Sequence, residues 1–349
     1  MAFATTSRPR GVKVKGLLGL VTALSFGLAV TGCSAAEDDK GKEGSATEQL
    51  NIVATTNVYG DIASSVAGEH GKVSSIISNA AQDPHSYEAT AKDKLAISKA
   101  DVVIINGGGY DYFAEQIIED LGDKAPTVVK SFEGEGHSHD HGHDHGEEGH
   151  GHEHEHGEEG HDHDHEGHSH AHGENEHVWY DLDHMEEFVG EVGEALAKAD
   201  PDNAKTYEEN ASKLAEEISD VTDSEDFKAA EKKFKGKSFM MTEPVPEALL
   251  NELGMEDGTP EGLSSAVEAG QEIPALVIKR AEDSLKQGKV QLFAFNSQTA
   301  DPQTKKLYES AQKAGVPTVD VTETIPEGKT FVEWMKDNVA AIAKAVDAK

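Results

Sequence analysis

The stretch that decides the fold is DVVIINGGGYDYFAEQIIEDLGDKAPTVVKS, residues 101–131. Its apolar run at 101–107 predicts a strand, and the pattern at 111–122 predicts a helix. A second apolar run at 126–131 predicts the next strand. Strands that alternate with helices in this order form a parallel sheet covered by helices on both faces.

The same alternation continues on both sides of this stretch. Before it, the sequence predicts strands at 50–56 and 73–78 and a helix at 93–100. A second group follows, with strands at 238–242, 290–296 and 317–322, and helices at 246–254, 274–287, 304–315 and the C-terminus. The fold class is therefore α/β, with two lobes.

A helical segment connects the two groups. Asp183 is the expected N-cap of a first helix that ends near Asp200, and Asp200-Pro201 begins the next one. Apolar residues then recur at helical spacing up to Phe234. An unbroken helix over 201–234 would be about 50 Å long at 1.5 Å per residue. The polar run 222–224 is a candidate interruption.

The charge of the chain restricts its partners. Lys and Arg total 31 against 66 Asp and Glu, which gives a formal charge of -35 with neutral histidine. Such a surface repels phosphate backbones, so we expect no binding to nucleic acid. The single cysteine excludes an intramolecular disulfide.

The N-terminus has the pattern of a secretory signal. Four basic residues and no acid precede the apolar run 17–30, which is too short to span a bilayer comfortably. The small residues before Cys33 resemble a bacterial lipobox, which predicts a lipid on this cysteine and an extracytoplasmic protein anchored to the cell membrane. The alternative is an ordinary signal peptide with a buried cysteine nearby.

Residues 137–172 form a tract with 15 of the 19 histidines, 11 acids and no Lys or Arg. Its glycines and charges cannot build a core, while neutral imidazoles bind zinc, nickel or copper. The sequence therefore predicts a disordered loop for auxiliary metal capture, and the alternative is an acidic spacer. Its histidines are His137, His139, His141, His143, His145, His150, His152, His154, His156, His161, His163, His165, His168, His170 and His172.

These patterns predict the domain organisation. The predicted segments are a signal peptide at 1–32, a flexible tether at 33–48, an N-terminal lobe at 49–136 and 173–200, the histidine-rich loop at 137–172, a linking helix at 201–235 and a C-terminal lobe at 236–349.

Four side chains, three of which follow predicted strands, are candidate metal ligands. Ligands bind beyond the carboxyl ends of strands in open parallel sheets. His85 follows a strand in the rigid turn Asp83-Pro84, and His177 follows the tract. Glu243 and Glu323 each follow a strand of the C-terminal lobe. Two imidazoles and two carboxylates suit Zn²⁺ or Mn²⁺, whereas each residue alone is more often structural.

Several runs resemble one family. DPHSYEAT at 83–90, DVVIINGGGYDYF at 101–113, the run from 177 to 210 and GVPTVDVTETIPEGKTFVEW at 315–334 resemble the zinc and manganese substrate-binding lipoproteins of bacterial ABC importers, the ZnuA-like cluster A-I solute-binding proteins. The resemblance implies two (β/α)4-like lobes with parallel sheets, joined by a long rigid helix, with the metal site in the cleft between them.

The family's motifs also imply ligands. Its PHxYE histidine falls on His85, its HxW histidine on His177, and its late carboxylate on Glu323. Many members have Thr-His where this chain has Thr242-Glu243, a departure that hardens the site toward manganese. The histidine tract is typical of the zinc-type members and favours zinc.

The function predicted from these observations is capture of Zn²⁺ as a transported ligand, with Mn²⁺ as the alternative. The partners would be an ABC permease with a cytoplasmic ATPase, and the protein itself would be a monomer. The rivals are a manganese importer subunit, a surface adhesin or metal-buffering lipoprotein, and a secreted metallohydrolase. The sequence contains no GxSxG or Walker-type motif, so we expect no enzymatic activity.

Overall fold

A computed structural model describes residues 49–79, 81–134 and 175–347. The predicted signal peptide, the lipidated Cys33, the tether and the histidine tract lie outside the described residues. Their assignments therefore stay predictions.

The described chain alternates strands and helices, as the sequence predicts. The elements are β1 (Leu50–Thr56), α1 (Asn57–Ala67), β2 (Gly71–Ile77), α2 (Ala91–Ser98), β3 (Val102–Gly107), α3 (Tyr112–Leu121), β4 (Thr127–Phe132), α4 (Leu182–Ala199), α5 (Ala204–Asp223), α6 (Glu225–Phe234), β5 (Ser238–Met241), α7 (Glu247–Glu252), β6 (Glu256–Asp257), α8 (Ser264–Glu268), α9 (Ala275–Lys286), β7 (Leu292–Asn296), α10 (Pro302–Lys313), β8 (Thr318–Val321) and α11 (Phe331–Asp347).

The strands form two parallel sheets of four strands, in the orders β2-β1-β3-β4 and β6-β5-β7-β8. In the first sheet Ile52 pairs with Val102, and Val102 pairs with Thr127. The expected α/β fold with two parallel sheets is thus confirmed. Because both sheets are parallel, the loops that follow their strands emerge at one edge of each sheet, and His85, Glu243 and Glu323 lie in such loops.

One hydrophobic core runs between the two sheets. It includes Ile52 and Val102 of the first sheet, Phe239 and Leu292 of the second, and the buried faces of α4, α5, α6 and α11. Smaller clusters cover the outer face of each sheet, around Ile105 in one lobe and Phe293 in the other. Burial of apolar surface therefore holds the two lobes together and also stabilises each lobe.

The linking segment differs from a single rod. α5 ends at Asp223, and Ser224 accepts from the backbone N–H of Phe227 as the N-cap of α6. The hydroxyl of Ser224 also donates to the carbonyl of Val221, so this residue satisfies backbone groups of both helices. The helix expected over 201–234 is therefore two helices, broken at the polar run.

The N-cap expected at Asp183 is wrong. α4 begins at Leu182, and the carboxylate of Asp181 accepts from the backbone N–H of His184 at 3.0 Å. Asp183 is exposed in the first turn, where its charge favours the helix dipole. Either acid is a suitable N-cap by residue type. The backbone conformation makes Asp181 the N-cap.

The C-terminal lobe contains two short elements without a sequence signal, the strand β6 and the helix α8. β6 is a two-residue edge strand that pairs with β5, and α8 lies in what the sequence predicts as a loop. No helix in the described part of the chain is long and apolar enough to cross a membrane.

Candidate metal centre

Three of the four predicted ligand residues follow strands at the carboxyl edges of the two sheets. The fourth, His177, lies beside them. Glu243 and Glu323 each come two residues after the end of a strand, β5 and β8. His85 lies in a short 3-10 turn after β2, and His177 directly precedes another such turn before α4. His177, Glu243 and Glu323 are buried, and the side chain of His85 is 8% exposed.

The turn before α2 holds His85. The carboxylate of Asp83 accepts from the backbone N–H of His85 at 3.0 Å and from the hydroxyl of Ser86 at 2.8 Å. Pro84 fixes the backbone between them. Asp83 therefore has the turn-capping role that its position next to Pro84 suggests.

The two ring nitrogens of His85 face different carboxylates. Nδ1 lies 3.1 Å from Oε1 of Glu176, and Nε2 lies 3.5 Å from Oε2 of Glu323. Burial alone would lower the pKa of His85, but the hydrogen bonds and charges of Glu176 and Glu323 raise it well above its usual value. His85 thus connects the N-terminal lobe to a carboxylate of the C-terminal lobe.

His177 is oriented by its neighbour Asn175. The side-chain oxygen of Asn175 lies 2.8 Å from Nδ1 of His177 and accepts from its backbone N–H at 3.0 Å. With Nδ1–H donating to this oxygen, Nε2 is left as the ligand nitrogen, which is the usual arrangement for a metal-binding histidine. Burial lowers the pKa of His177 to about 4, so the ring is neutral at physiological pH.

Aromatic rings surround the two imidazoles. The ring centroids of Tyr110 and His85 are 4.8 Å apart, and those of Trp179 and His177 are 5.2 Å apart. Tyr110 follows a turn of three glycines at positive φ, in which a Cβ on Gly107 would lie 2.1 Å from the carbonyl oxygen of Phe132. Only glycine fits there, and the tight turn places the Tyr110 ring beside the site.

Glu323 has no exposed surface and is more deeply buried than Glu176 and Glu243. It accepts from the amide of Asn296 at 2.7 Å and from the hydroxyl of Tyr110 at 3.1 Å. Burial opposes its ionisation, but contacts with His85 and with Asn296 lower the pKa of Glu323 to about 2. The carboxylate is therefore charged inside the protein.

Glu243 lies on the other side of Asn296. The amide of Asn296 donates to both Glu243 and Glu323, and the hydroxyl of Thr299 also donates to Glu243. Burial and the charge of Glu323 raise the pKa of Glu243 to about 7. These polar groups hold Glu243 at the site, where the charge of His85 also acts on its carboxylate and opposes the shift.

The ligand atoms divide into two compact groups. Among the described residues, the potential ligand atoms of His85, His177 and Glu268 lie within 4.8 Å of one another, as do those of Asp83, His85 and Glu323. Glu243 belongs to neither group of described side chains. Two imidazoles among carboxylates suit a borderline divalent ion such as Zn²⁺ or Mn²⁺.

A model of the family described as zinc-uptake complex component A, periplasmic, matches residues 52–345. The chain belongs to this ZnuA family. The resemblance seen in the sequence is therefore confirmed.

Several relatives of this ZnuA-family chain are named as substrate-binding lipoproteins of metal ABC transporters. The manganese ABC transporter substrate-binding lipoprotein ScaA of Streptococcus gordonii is 25% identical, with 91% of this chain and 96% of the relative covered. The corresponding PsaA of Streptococcus pneumoniae is 26% identical, over 96% and 99% of the two chains.

Solved structures show the same fold. The Ni²⁺ complex of FpvC from Pseudomonas aeruginosa has a TM-score of 0.63 at 20% identity, with 86% of this chain and 97% of that chain covered. The Zn(II)-bound AdcA of Streptococcus pneumoniae has a TM-score of 0.59 at 20% identity, with 86% and 59% covered.

Sequence reasoning on this ZnuA-family chain missed two carboxylates at the site, Glu176 and Glu268. Glu176 directly precedes His177, so its position next to a predicted ligand was an available signal. Glu268 ends α8, and one acid in a polar segment gives no such signal. Burial and the charge of Glu176 raise the pKa of Glu268 to about 7.

The other histidines of the described chain lie elsewhere. His184 is in the first turn of α4 with its ring against Phe188, and its Nε2 lies 3.1 Å from the hydroxyl of Ser131. His70 ends a short turn, and its ring contacts Tyr207. Neither residue was predicted as a ligand.

Proposed function

We propose that this ZnuA-family protein captures Zn²⁺ outside the cytoplasmic membrane and delivers it to an ABC permease. One observation carries the proposal: the imidazole of His177, the largely buried imidazole of His85 and the buried, charged carboxylate of Glu323 from the other lobe converge at the edges of the sheets. A buried carboxylate among polar groups is stabilised by a cation bound next to it.

The proposed ligands are His85, His177, Glu243 and Glu323. His85, His177 and Glu323 already lie close together. Glu243 would reach the ion once its carboxylate leaves the amide of Asn296. Two nitrogen and two oxygen ligands would give Zn²⁺ a tetrahedral or five-coordinate site.

Zinc is favoured over manganese by the histidine tract. Imidazole binds zinc more strongly than manganese under the general affinity order of divalent metals. Manganese is the second candidate, because the site holds several carboxylates and because relatives such as ScaA and PsaA are named for manganese. The Zn(II)-bound AdcA shows a zinc complex on the same fold.

The remaining parts of the proposal concern location and partners. A lipid on Cys33 would keep the protein on the outer face of the cell membrane, and the segment 33–48 would serve as its tether. The histidine tract would collect ions near the cleft. Import would need a permease with a cytoplasmic ATPase, and the binding protein would act as a monomer without enzymatic activity.

A titration of the full chain that uses tryptophan fluorescence tests this proposal. Of the two tryptophans, Trp179 lies against His177, whereas Trp334 packs on Tyr180 and Phe331. The tract contains no tryptophan, so a change in Trp179 emission reports on the cleft. We expect tight binding of Zn²⁺ and weaker binding of Mn²⁺.

Variants of the carboxylates make the test specific. Glu323→Gln and Glu243→Gln should each weaken Zn²⁺ binding, while Glu327→Gln, an exposed acid four residues after Glu323, is the matched control. Comparable binding of Mn²⁺ would make manganese the cargo. Absence of tight binding by the unaltered chain would refute the cleft as a metal site.

A deletion strain distinguishes transport from adhesion. Loss of the gene should reduce zinc uptake by cells grown at low zinc. Normal uptake in such cells would favour the surface adhesin or metal-buffering role.

A further inference from the structure

Two different carboxylate environments meet at the imidazole of His85. On its Nε2 side lies Glu323, and on its Nδ1 side lies Glu176, 3.1 Å away. Glu268 belongs to the second environment, since its carboxylate lies 3.9 Å from Nδ1 of His177, and burial and the charge of Glu176 raise its pKa. The site therefore offers a cation more than one carboxylate.

These environments differ in their access to water. Glu323 has no exposed surface, whereas the side chain of Glu268 is 19% exposed. Glu268 ends α8, a helix of five residues in the segment between β6 and α9, and Glu323 is fixed by Asn296 and Tyr110. An ion coming from solvent can thus meet Glu268 before it reaches Glu323.

We infer that Glu268, with His85 and His177, forms a second, outer cation position that a divalent ion occupies on its way to and from the inner position at Glu323. The potential ligand atoms of these three residues lie within 4.8 Å of one another, which is a spacing that one ion can bridge. The inference rests on the proposed function and adds a route for the ion.

An outer position of this kind lowers the barrier to binding. A divalent ion that loses its water ligands all at once pays a large desolvation penalty. If Glu268 and the imidazoles take the ion first, its ligands exchange one at a time while His85 stays bound. Both positions use His85, and a neutral imidazole has one free lone pair, so they hold one ion in turn and not two together.

This route makes a kinetic prediction. A transit position changes the barrier in both directions by the same factor and leaves the binding equilibrium unchanged. Glu268→Gln should therefore slow both association and dissociation of Zn²⁺ by about tenfold, which is about 1.4 kcal/mol of barrier. The dissociation constant should stay nearly the same.

The experiment is stopped-flow fluorescence of the full chain, with Zn²⁺ for association and a chelator for dissociation. Glu272→Gln is the matched control, because it removes the same charge from an exposed residue of the same segment. The histidine tract is present in every variant, so its buffering affects all rates equally. Glu268→Asp keeps a carboxylate on a shorter side chain and should recover part of the rate.

The outcomes are distinguishable. Rates equal to those of Glu272→Gln would overturn the inference, and so would weaker binding caused by faster dissociation, since Glu268 would then be a ligand of the resting ion. If Glu268→Gln does not fold, the inference requires Glu268→Asp to show slowed rates at an unchanged dissociation constant. If the unaltered chain binds no Zn²⁺ tightly, it is the proposed function that fails.

Discussion

The two imidazoles of the site are oriented by two consecutive residues, Asn175 and Glu176. Asn175 contacts Nδ1 of His177, and Glu176 contacts Nδ1 of His85. Asn175 also donates to the carbonyl of Pro244 and to the carboxylate of Glu247, which are in the C-terminal lobe. A single short segment that follows the histidine tract thus sets the direction of both rings.

The first prediction concerns Asn175. Asn175→Ala removes the acceptor for Nδ1 of His177, so the ring can rotate and change tautomer. Zn²⁺ affinity, measured by Trp179 fluorescence, should fall by about 10- to 100-fold, as for other groups that orient metal ligands. Asn175→Asp keeps the acceptor and should restore most of the affinity. If both variants bind like the unaltered chain, Asn175 does not orient His177.

At the scale of elements, the turn from β3 to α3 depends on the buried carboxylate of Asp111. It accepts from the hydroxyl of Thr55 at 2.6 Å and from the backbone N–H groups of Asn106 and Gly107 at 2.7 and 2.9 Å. Burial raises the pKa of Asp111 to about 6, although these hydrogen bonds oppose the shift. The turn that carries Tyr110 is therefore sensitive to pH.

This shift predicts the pH dependence of stability. The folded protein holds the Asp111 proton up to about pH 6, whereas an unfolded chain releases it near 3.8. The stabilisation by protonated Asp111 is thus complete below pH 3.8 and is lost as the pH rises to 6. Asp111→Asn lacks this titration. Between pH 4 and 6, the free energy of unfolding of the unaltered chain should fall by up to about 3 kcal/mol relative to Asp111→Asn.

Chemical denaturation of both proteins without metal, at several pH values, measures this difference. A difference that does not vary with pH would show that Asp111 has an ordinary pKa in the folded protein.

Replacement of two glycines of α4 by alanine should have opposite effects on stability. A Cβ on Gly193 would lie 2.7 Å from Cβ of Ala211 on α5, whereas a Cβ on Gly190 would meet nothing within 4 Å. Gly193→Ala should lower the free energy of unfolding by about 1–3 kcal/mol because it overpacks the contact between the helices. Gly190→Ala should raise it by about 0.5–1 kcal/mol through helix propensity. If the two variants change the thermal unfolding of the protein equally, the close contact between Gly193 and Ala211 is contradicted.

At the scale of the whole molecule, hydrogen bonds join the lobes. The side chain of Asn57 donates to the carbonyl of Ile325 at 2.8 Å and accepts from its N–H at 3.0 Å. Asp61 accepts from the backbone N–H of Phe331 at 2.8 Å. With a core that continues between the sheets, these contacts resist a wide opening of the cleft.

We therefore expect metal release by local rearrangement around Glu243 and Glu323. Structures of the metal-free and Zn²⁺-bound protein should superimpose in both sheets and differ in the loops after β5 and β8. X-ray scattering with and without Zn²⁺ should give the same radius of gyration. A large decrease on binding would instead indicate domain closure.

The sequence was a good guide to the main elements and a weaker one to short elements and site partners. Strand and helix patterns located β1, β3, β7 and α9, since apolar residues recur at the period of each structure. The short elements β6 and α8 carry too few residues for a period. Glu268 was missed for the same reason, because α8 alone brings it near the imidazoles.

What the sequence by itself determined is the α/β class, the two parallel sheets, the family, the positions of His85, Glu243 and Glu323 after strands, and the position of His177 before a helix. These follow from local periodicity and from motifs, which are properties of neighbouring residues. Only the tertiary structure decided that Glu323 reaches His85, that Asn296 joins Glu243 to Glu323, and that Glu176 and Glu268 share the site. Those contacts join residues far apart in the chain, and packing between the lobes sets their distances.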